Sequence, residues 1–229
     1  MAQNLKVDLH LHTAEDPYEK ITYTAFDLID RAGEEGYDVI AITNHNTITY
    51  HSLLREYARE KGVLLLPGVE ATFSKKHVVI INPGIKFVGE EMAFEELAEF
   101  KKEDSLIIAP HPFFPGISCL KSLLHQYIDL FDAIEFCHCY NHLVNFNKKA
   151  INSSLLYKKP LLGTSDTHNH WQFGRTYSLV EAEKNPSSVI KGIKEGKIKI
   201  VSNPLPLATF FRVGVNFIIS QKLKIKYRV

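Results

Sequence analysis

Short apolar runs of strand length recur along this chain, at Leu5 to Leu9, Val39 to Ile42, Val63 to Leu66, Val78 to Ile81, Leu106 to Ala109, Ala133 to Phe136 and Pro160 to Leu162. Most are built of Val, Ile and Leu, the composition of strands covered on both faces. Helical patterns lie between most of them. Thr22 or Thr24 is placed to cap a helix carrying Phe26, Ile29 and Ala32 at helical spacing, and Gly36 is placed to end it. His51 to Lys61, Glu91 to Lys102 and Asn145 to Tyr157 read similarly, the first with Leu53, Leu54, Tyr57 and Ala58 as its apolar face. Six or seven such alternations of strand and helix call for an α/β architecture around a largely parallel sheet.

Candidate metal ligands sit at the ends of these runs. His10 and His12 follow the first, His45 the second, Glu70 the third, His111 the fifth, and Asp166 with His168 the seventh. In a closed βα barrel the ends of parallel strands converge on one face, so residues distant in sequence meet there. Ligand-type residues at every second position, as in His10-Leu11-His12 and Asp166-Thr167-His168, share one side of an extended chain and can serve one ion. Imidazole with carboxylate suits zinc, manganese or iron better than calcium or magnesium, which take all-oxygen shells. His77 precedes its run, so it needs an antiparallel or irregular segment to join them. Of the other histidines, His51, His125, His142 and His170 have no motif around them, whereas His138 ends a strand-like run and is expected to line the substrate pocket.

The 229 residues, 45% of them hydrophobic, suffice for one substantial core, and no linker divides them. The expectation is one domain over 1–229, with 204–229 a C-terminal packing or interface extension. Within that extension Ala208 to Ser220 is apolar but broken by Arg212 and Asn216, short of a bilayer span. Phe210 to Ile219 is a candidate subunit contact in a homo-oligomer, and Lys222 to Lys226 alternates like an edge strand guarded by lysines. With 27 basic and 26 acidic residues the net charge is +1, which gives no field toward nucleic acid or an anionic membrane. Cys119, Cys137 and Cys139 make no disulfide framework, and no signal-peptide pattern opens the chain, so a cytoplasmic location is expected.

The ordered segments DLHLHT (8–13), ITNHNT (42–47), PGVE (67–70), HVVI (77–80), APHP (109–112) and GTSDTH (163–168) resemble the polymerase and histidinol phosphatase (PHP) family of metal-dependent phosphoesterases. The resemblance covers roughly residues 5 to 180 and rests on the order of the motifs. It implies a distorted (β/α)7 barrel of the PHP type, holding two or three divalent metal ions (Zn, Mn or Fe) at the strand ends. By that resemblance His10 and His12 bind the first metal, Glu70 bridges two, and Asp166 closes the first site. His77 and His111 serve the second ion, and Asp16, His45 and His168 the third, with Glu15 beside Asp16 able to present its carboxylate instead. The family commonly has Asp-His-Asp where this chain has Asn44-His45-Asn46, which removes negative charge beside the cluster and leaves Asn44 to orient a ligand by hydrogen bonding.

These residues imply hydrolysis of a small phosphorylated metabolite or nucleotide, with a metal-bound hydroxide as nucleophile. Glu70 sets the spacing of the ions, and His168 serves as a ligand or as proton donor to the leaving oxygen. Arg175 is the candidate phosphate clamp, since a guanidinium can bond two oxygens at once. Two other readings stand beside this one. One is a non-catalytic module that binds a phosphorylated ligand. The other is an amidohydrolase-like enzyme, although no lysine stands near the candidate ligands to bridge two metals as such enzymes commonly require.

Overall fold

A computed structural model describes residues 2–84 and 91–213, and among these nine strands form one sheet. They are β1 (Gln3–Leu11), β2 (Val39–Ile42), β3 (Leu64–Phe73), β4 (Lys76–Ile81), β5 (Leu106–Ala109), β6 (Ala133–Cys137), β7 (Leu161–Thr164), β8 (Thr176–Ala182) and β9 (Ile198–Ser202). Their spatial order is β7-β6-β5-β4-β3-β2-β1-β8-β9. The pairs β1–β2, β2–β3, β5–β6 and β6–β7 are parallel, while β4 runs antiparallel to both neighbours and β8 to both of its own.

The sheet curls until its far members meet. The Ser178 hydroxyl on β8 accepts from Gly163 N (2.9 Å) and donates to Gly163 O (3.0 Å) on β7. Just beyond β7, His12 N donates to Thr167 O at 3.1 Å. Gly163 permits this approach, because a Cβ there would lie 2.7 Å from Ile200 Cγ2 and 3.1 Å from Tyr177 O. The result is a nearly closed, mixed barrel. Leu5, Val7, Leu9, Val79, Ile108 and Leu162 from successive strands pack into one inner cluster.

Helices cover the outside. α1 (Ala25–Glu34) and α2 (Ser52–Glu60) bury Leu28, Ile29, Leu54 and Ala58 against Ile40, Ile42 and Leu65. Thr24 caps α1 through a reciprocal pair with Asp27, Thr24 N to Asp27 Oδ2 at 2.8 Å and Asp27 N to Thr24 Oγ1 at 3.2 Å. Gly36, at φ +70°, turns the chain out of the helix, the left-handed step that glycine takes without a Cβ penalty. α3 (Leu123–Gln126) and α4 (Asn147–Tyr157) cover the β5–β7 side, and α5 (Pro186–Lys194) adds Val189, Ile190 and Ile193 to the inner cluster.

The architecture departs from seven regular βα units. β3 and β4 form a hairpin, with Ser74 and Lys75 at its turn in the left-handed region. The helix expected over Glu91 to Lys102 is a 3-10 segment at Phe94–Phe100, where Phe94 and Leu97, three apart, are the buried pair. β8 and β9 were absent from the expected runs, because β8 turns Thr176 and Ser178 inward and so breaks the apolar signature. On α2, Leu53 is exposed and only Leu54 and Ala58 are buried. The proposed extension is helical over 207–213. The part beyond 213, with Lys222 to Lys226 and most of the Phe210 to Ile219 contact, lies outside the described residues. No helix among those described is long and apolar enough to cross a membrane.

Candidate metal centre

The pairing of β1 with β2 shifts register between Asp8 and Leu11. Across that irregularity the inward face passes from Leu5, Val7 and Leu9 to His10 and His12, as an extra residue in a strand makes it do. Both imidazoles then meet Glu70 from β3 and Asp166 from the loop after β7. His10 Nε2 lies 3.3 Å from Glu70 Oε2 and 3.5 Å from Asp166 Oδ1, and His12 Nε2 lies 3.3 and 3.6 Å from the same two oxygens. His45 Nε2 approaches Glu70 Oε2 at 3.1 Å. The other Glu70 oxygen faces His77 Nδ1 (2.8 Å) and His111 Nε2 (3.2 Å). His77 arrives because β4 returns antiparallel along β3, opposite Thr72. His168 stacks on His12 with ring centroids 4.3 Å apart, and its Nδ1 lies 3.1 Å from Asp166 O. His111 (φ +30°) and Asp166 (φ +46°) hold left-handed backbone, a conformation non-glycine residues seldom adopt and one that clusters at working sites.

A second layer fixes how these rings point. Glu135, fully buried on β6, accepts from His10 Nδ1 at 2.7 Å, and also from the Thr164 hydroxyl and the His111 backbone N–H. Asp16 Oδ2 accepts from His12 Nδ1 (3.0 Å), His45 Nδ1 (2.8 Å) and His45 N (2.9 Å). With Nδ1 occupied in this way, the neutral imidazoles of His10, His12 and His45 turn an Nε2 lone pair to the cluster. Cys119 Sγ sits 3.4 Å from His111 Nδ1 in the corresponding place.

Several expected residues stand elsewhere. Asp16 lies behind the histidines, not among the facing atoms, since its Oδ2 is taken by them and its Oδ1 accepts from Tyr18 N at 2.8 Å. Glu15 turns away to accept from Ala25 N at the start of α1. Asn44 does not reach the cavity: its amide donates to Thr13 Oγ1 (2.9 Å) and Thr49 Oγ1 (2.8 Å), and its oxygen accepts from Thr13 N (2.9 Å). Asn46, at φ +50°, exchanges two hydrogen bonds with Thr72 on β3. Both amides therefore splice the His45 loop to its neighbours, using donors that a carboxylate lacks. Arg175 is also displaced. Its Nε donates to Trp171 O (3.1 Å) and its guanidinium lies 5.7 Å from the indole centre, while Arg212 lines the cavity. His138 does line it, with Nε2 accepting from Gln172 Nε2 at 3.0 Å. Glu135, Asp8 and Gln172 were not singled out from sequence. Glu135 carried one signal, a charged residue in an otherwise apolar strand.

The electrostatics call for a cation. Asp8, Asp16, Glu70 and Glu135 are buried and Asp166 nearly so, and the ion-pair partners of the last four are histidines. Burial raises Asp8 to about 7. Burial opposes charge on Glu70 as well, yet the surrounding imidazoles hold it well below the ordinary carboxylate range. His45 resists the same desolvation and is raised to about 10 by Glu70 and Asp16, whereas burial and the neighbouring His12 lower His168 to about 4. His10 Nε2, His12 Nε2 and Asp166 Oδ1 are buried without a hydrogen-bond partner, in a protein interior where such atoms are costly. A tetrahedron with bonds of about 2.0–2.2 Å has edges of about 3.3–3.6 Å, which are the separations found here. The residues fit divalent metal ions.

No family model matches the chain. It is 29% identical to an uncharacterized protein of Methanocaldococcus jannaschii over 159 residues, 65% of this chain and 90% of that protein. It is 33% identical over 82 residues, 36% of this chain, to a PolC-type DNA polymerase III of Caldanaerobacter subterraneus subsp. tengcongensis, of which that stretch is 6%. Among solved structures, a two-domain protein of Bacteroides vulgatus containing a predicted PHP-like metal-dependent phosphoesterase superposes with a TM-score of 0.70 at 21% identity. That match covers 88% of this chain and 66% of the other. An amidohydrolase of Chromobacterium violaceum, with bound sulfate and no metal, superposes with a TM-score of 0.56 at 14% identity, covering 84% and 97% of the two chains. The resemblance carried by the order of the motifs thus holds in three dimensions: the chain shares the fold of a predicted PHP-like metal-dependent phosphoesterase.

Proposed function

We propose that this protein is a metal-dependent phosphoesterase acting on a small phosphate ester. The observation that carries the reading is that His10 Nε2 and His12 Nε2 each face both Glu70 Oε2 and Asp166 Oδ1, while the two nitrogens and Asp166 Oδ1 are buried without a hydrogen-bond partner. Zinc, manganese or iron suits this mixture of imidazole and carboxylate. His10, His12 and Asp166 would hold one ion with Glu70, and His77 and His111 would hold a second on the other Glu70 oxygen. His45 and His168 lie beside His12 with ring nitrogens near the cluster and would serve a third. Bound divalent ions would supply charge for the phosphoryl oxygens and activate water near neutral pH.

The chain's own residues do the rest. Glu135 and Asp16 lock ring orientation and raise the basicity of the imidazoles they hold. His168, whose Nδ1 donates to Asp166 O, has Nε2 left to bind an ion, and would protonate the departing oxygen only after taking up a proton there. A second reading, amide hydrolysis at the same centre, draws on the amidohydrolase neighbour, but no lysine lines the cavity among the described residues.

Phosphate release from a panel of monoesters and a chromogenic diester, after chelation and reconstitution with manganese or zinc, tests the reading. His10→Ala and Asp166→Ala are expected to lower turnover by on the order of 10²–10³-fold, the effect of removing one group that stabilises transition-state charge. Full metal occupancy with no ester cleaved would overturn the proposal.

A further inference from the structure

The cavity above the cluster, about 640 Å³, is large enough for a small organic molecule as well as its phosphate. Its floor is the histidine and carboxylate cluster. Its opposite wall is different in kind: Phe114, Trp171 and Val213, with the thiols of Cys137 and Cys139. Trp171 is held by Arg175, and His138 meets it edge-on at 6.2 Å between ring centroids. Phe114 is braced edge-to-face on Phe146 at 5.0 Å. Val213 belongs to the segment anchored by Leu205 N to Tyr140 O (2.8 Å).

Gln172 bonds to both Asn169 and His138 in this wall, and Ser118 adds a hydroxyl to the lining. Gln172 Oε1 accepts from His168 N (2.9 Å) and Asn169 N (2.7 Å), and its amide serves His138. Burial keeps His138 uncharged, its pKa lowered to about 4. Among the described lining residues outside the cluster, the charged ones are Glu19 and Arg212. A polyhydroxylated leaving group needs a hydrogen bond for each hydroxyl it buries. An aromatic ring needs an apolar face and an aromatic edge, which Trp171 and Phe114 supply.

We infer that this wall is a leaving-group pocket for a flat apolar group, so that the preferred substrates are phosphate esters of aromatic alcohols and not sugar or polyol phosphates. The inference rests on the phosphoester reading of the centre. In the reaction the oxygen of water bonds to phosphorus, the bond from phosphorus to the alcohol oxygen breaks, and the alcohol leaves with a proton.

Trp171 is the single tryptophan of the chain, so its fluorescence reports directly on this wall. The metal-loaded protein is titrated with benzylphosphonate and with 2,3-dihydroxypropylphosphonate, neither of which can be hydrolysed. Benzylphosphonate is expected to perturb the emission and to bind about tenfold or more tightly, from burial of its ring. Phe114→Ala is expected to erase most of that preference, and Phe114→Leu to keep part of it. Equal affinities for the two phosphonates would overturn the inference. Turnover of benzyl phosphate and glycerol 1-phosphate, whose alcohols leave with similar difficulty, separates the two claims. A benzylphosphonate preference with neither ester cleaved would sink the hydrolytic reading and uphold the pocket. Equal cleavage of both with no binding preference would do the reverse.

Discussion

The two ends of the barrel solve the problem of charge differently. At the amino ends of the strands, lysines reach carboxylates and chain carbonyls from half-exposed positions. Lys184 Nζ lies 3.0 Å from Asp38 Oδ1 and 2.6 Å from Gly62 O, and Lys159 Nζ donates to Phe131 O at 2.7 Å. Lys6 donates to Glu35 O at 2.8 Å while its Nζ lies 4.0 Å over the Tyr37 ring. At the carboxyl ends, carboxylates are buried among imidazoles and three of the facing atoms lack a hydrogen-bond partner. At the first end the charged groups meet partners from the protein itself. At the second the facing atoms make a set that divalent cations fit, and that difference separates a stabilising arrangement from a candidate working one.

The largest test of this contrast is metal-linked stability. Manganese or zinc at about 1,000 times its dissociation constant should stabilise the chelated protein by about 4 kcal/mol. For a chain of this size that amounts to a rise in Tm of roughly 8–16 °C, readable by calorimetry. Asp166→Ala should abolish most of the rise and Lys184→Ala should retain it; an unchanged rise in Asp166→Ala would break the comparison.

Next in size are the residues behind the histidines. Glu135→Gln keeps an acceptor for His10 but loses the charge, and is expected to weaken metal binding roughly 10–100-fold. Asp16→Asn should weaken binding to a similar extent while the number of ions bound, counted by elemental analysis, stays the same. A loss of one ion per chain would instead make Asp16 a ligand.

Closure of the sheet gives a smaller effect, confined to folding. Gly163→Ala forces a methyl against Ile200 and the Tyr177 carbonyl, and should cost about 1–3 kcal/mol in denaturant unfolding. The smallest effect belongs to the amino end. Lys184→Ala removes a pair that is about one-third exposed on each side and should cost no more than about 1 kcal/mol, with phosphate release unchanged.

Much of this architecture was legible because it is local. The runs Val39–Ile42 and Leu106–Ala109 coincide with β2 and β5 to the residue, Thr24, one of two expected caps, starts α1, and α2 lies within the expected His51 to Lys61. The facing residues were legible because imidazoles and carboxylates recurring after apolar runs are improbable unless the runs converge. The second layer was not. Glu135 becomes a partner of His10 across 125 positions only when β6 and β1 share a barrel, and Asp16 and Glu15 are told apart only by which of them the turn before Pro17 points inward. Arg175 and Arg212 exchange expected places for the same reason, since a guanidinium's role depends on what lies within reach and not on its neighbours in sequence. Periodicity, capping and residue chemistry are carried by a few adjacent residues, so the chain alone determined the strands β1–β7, the start of α1 and the donor types at the strand ends. Register, the shift within β1 and the closure of the sheet depend on contacts between distant segments, and these decided which atom each donor turns toward the cluster and which side chains line the cavity.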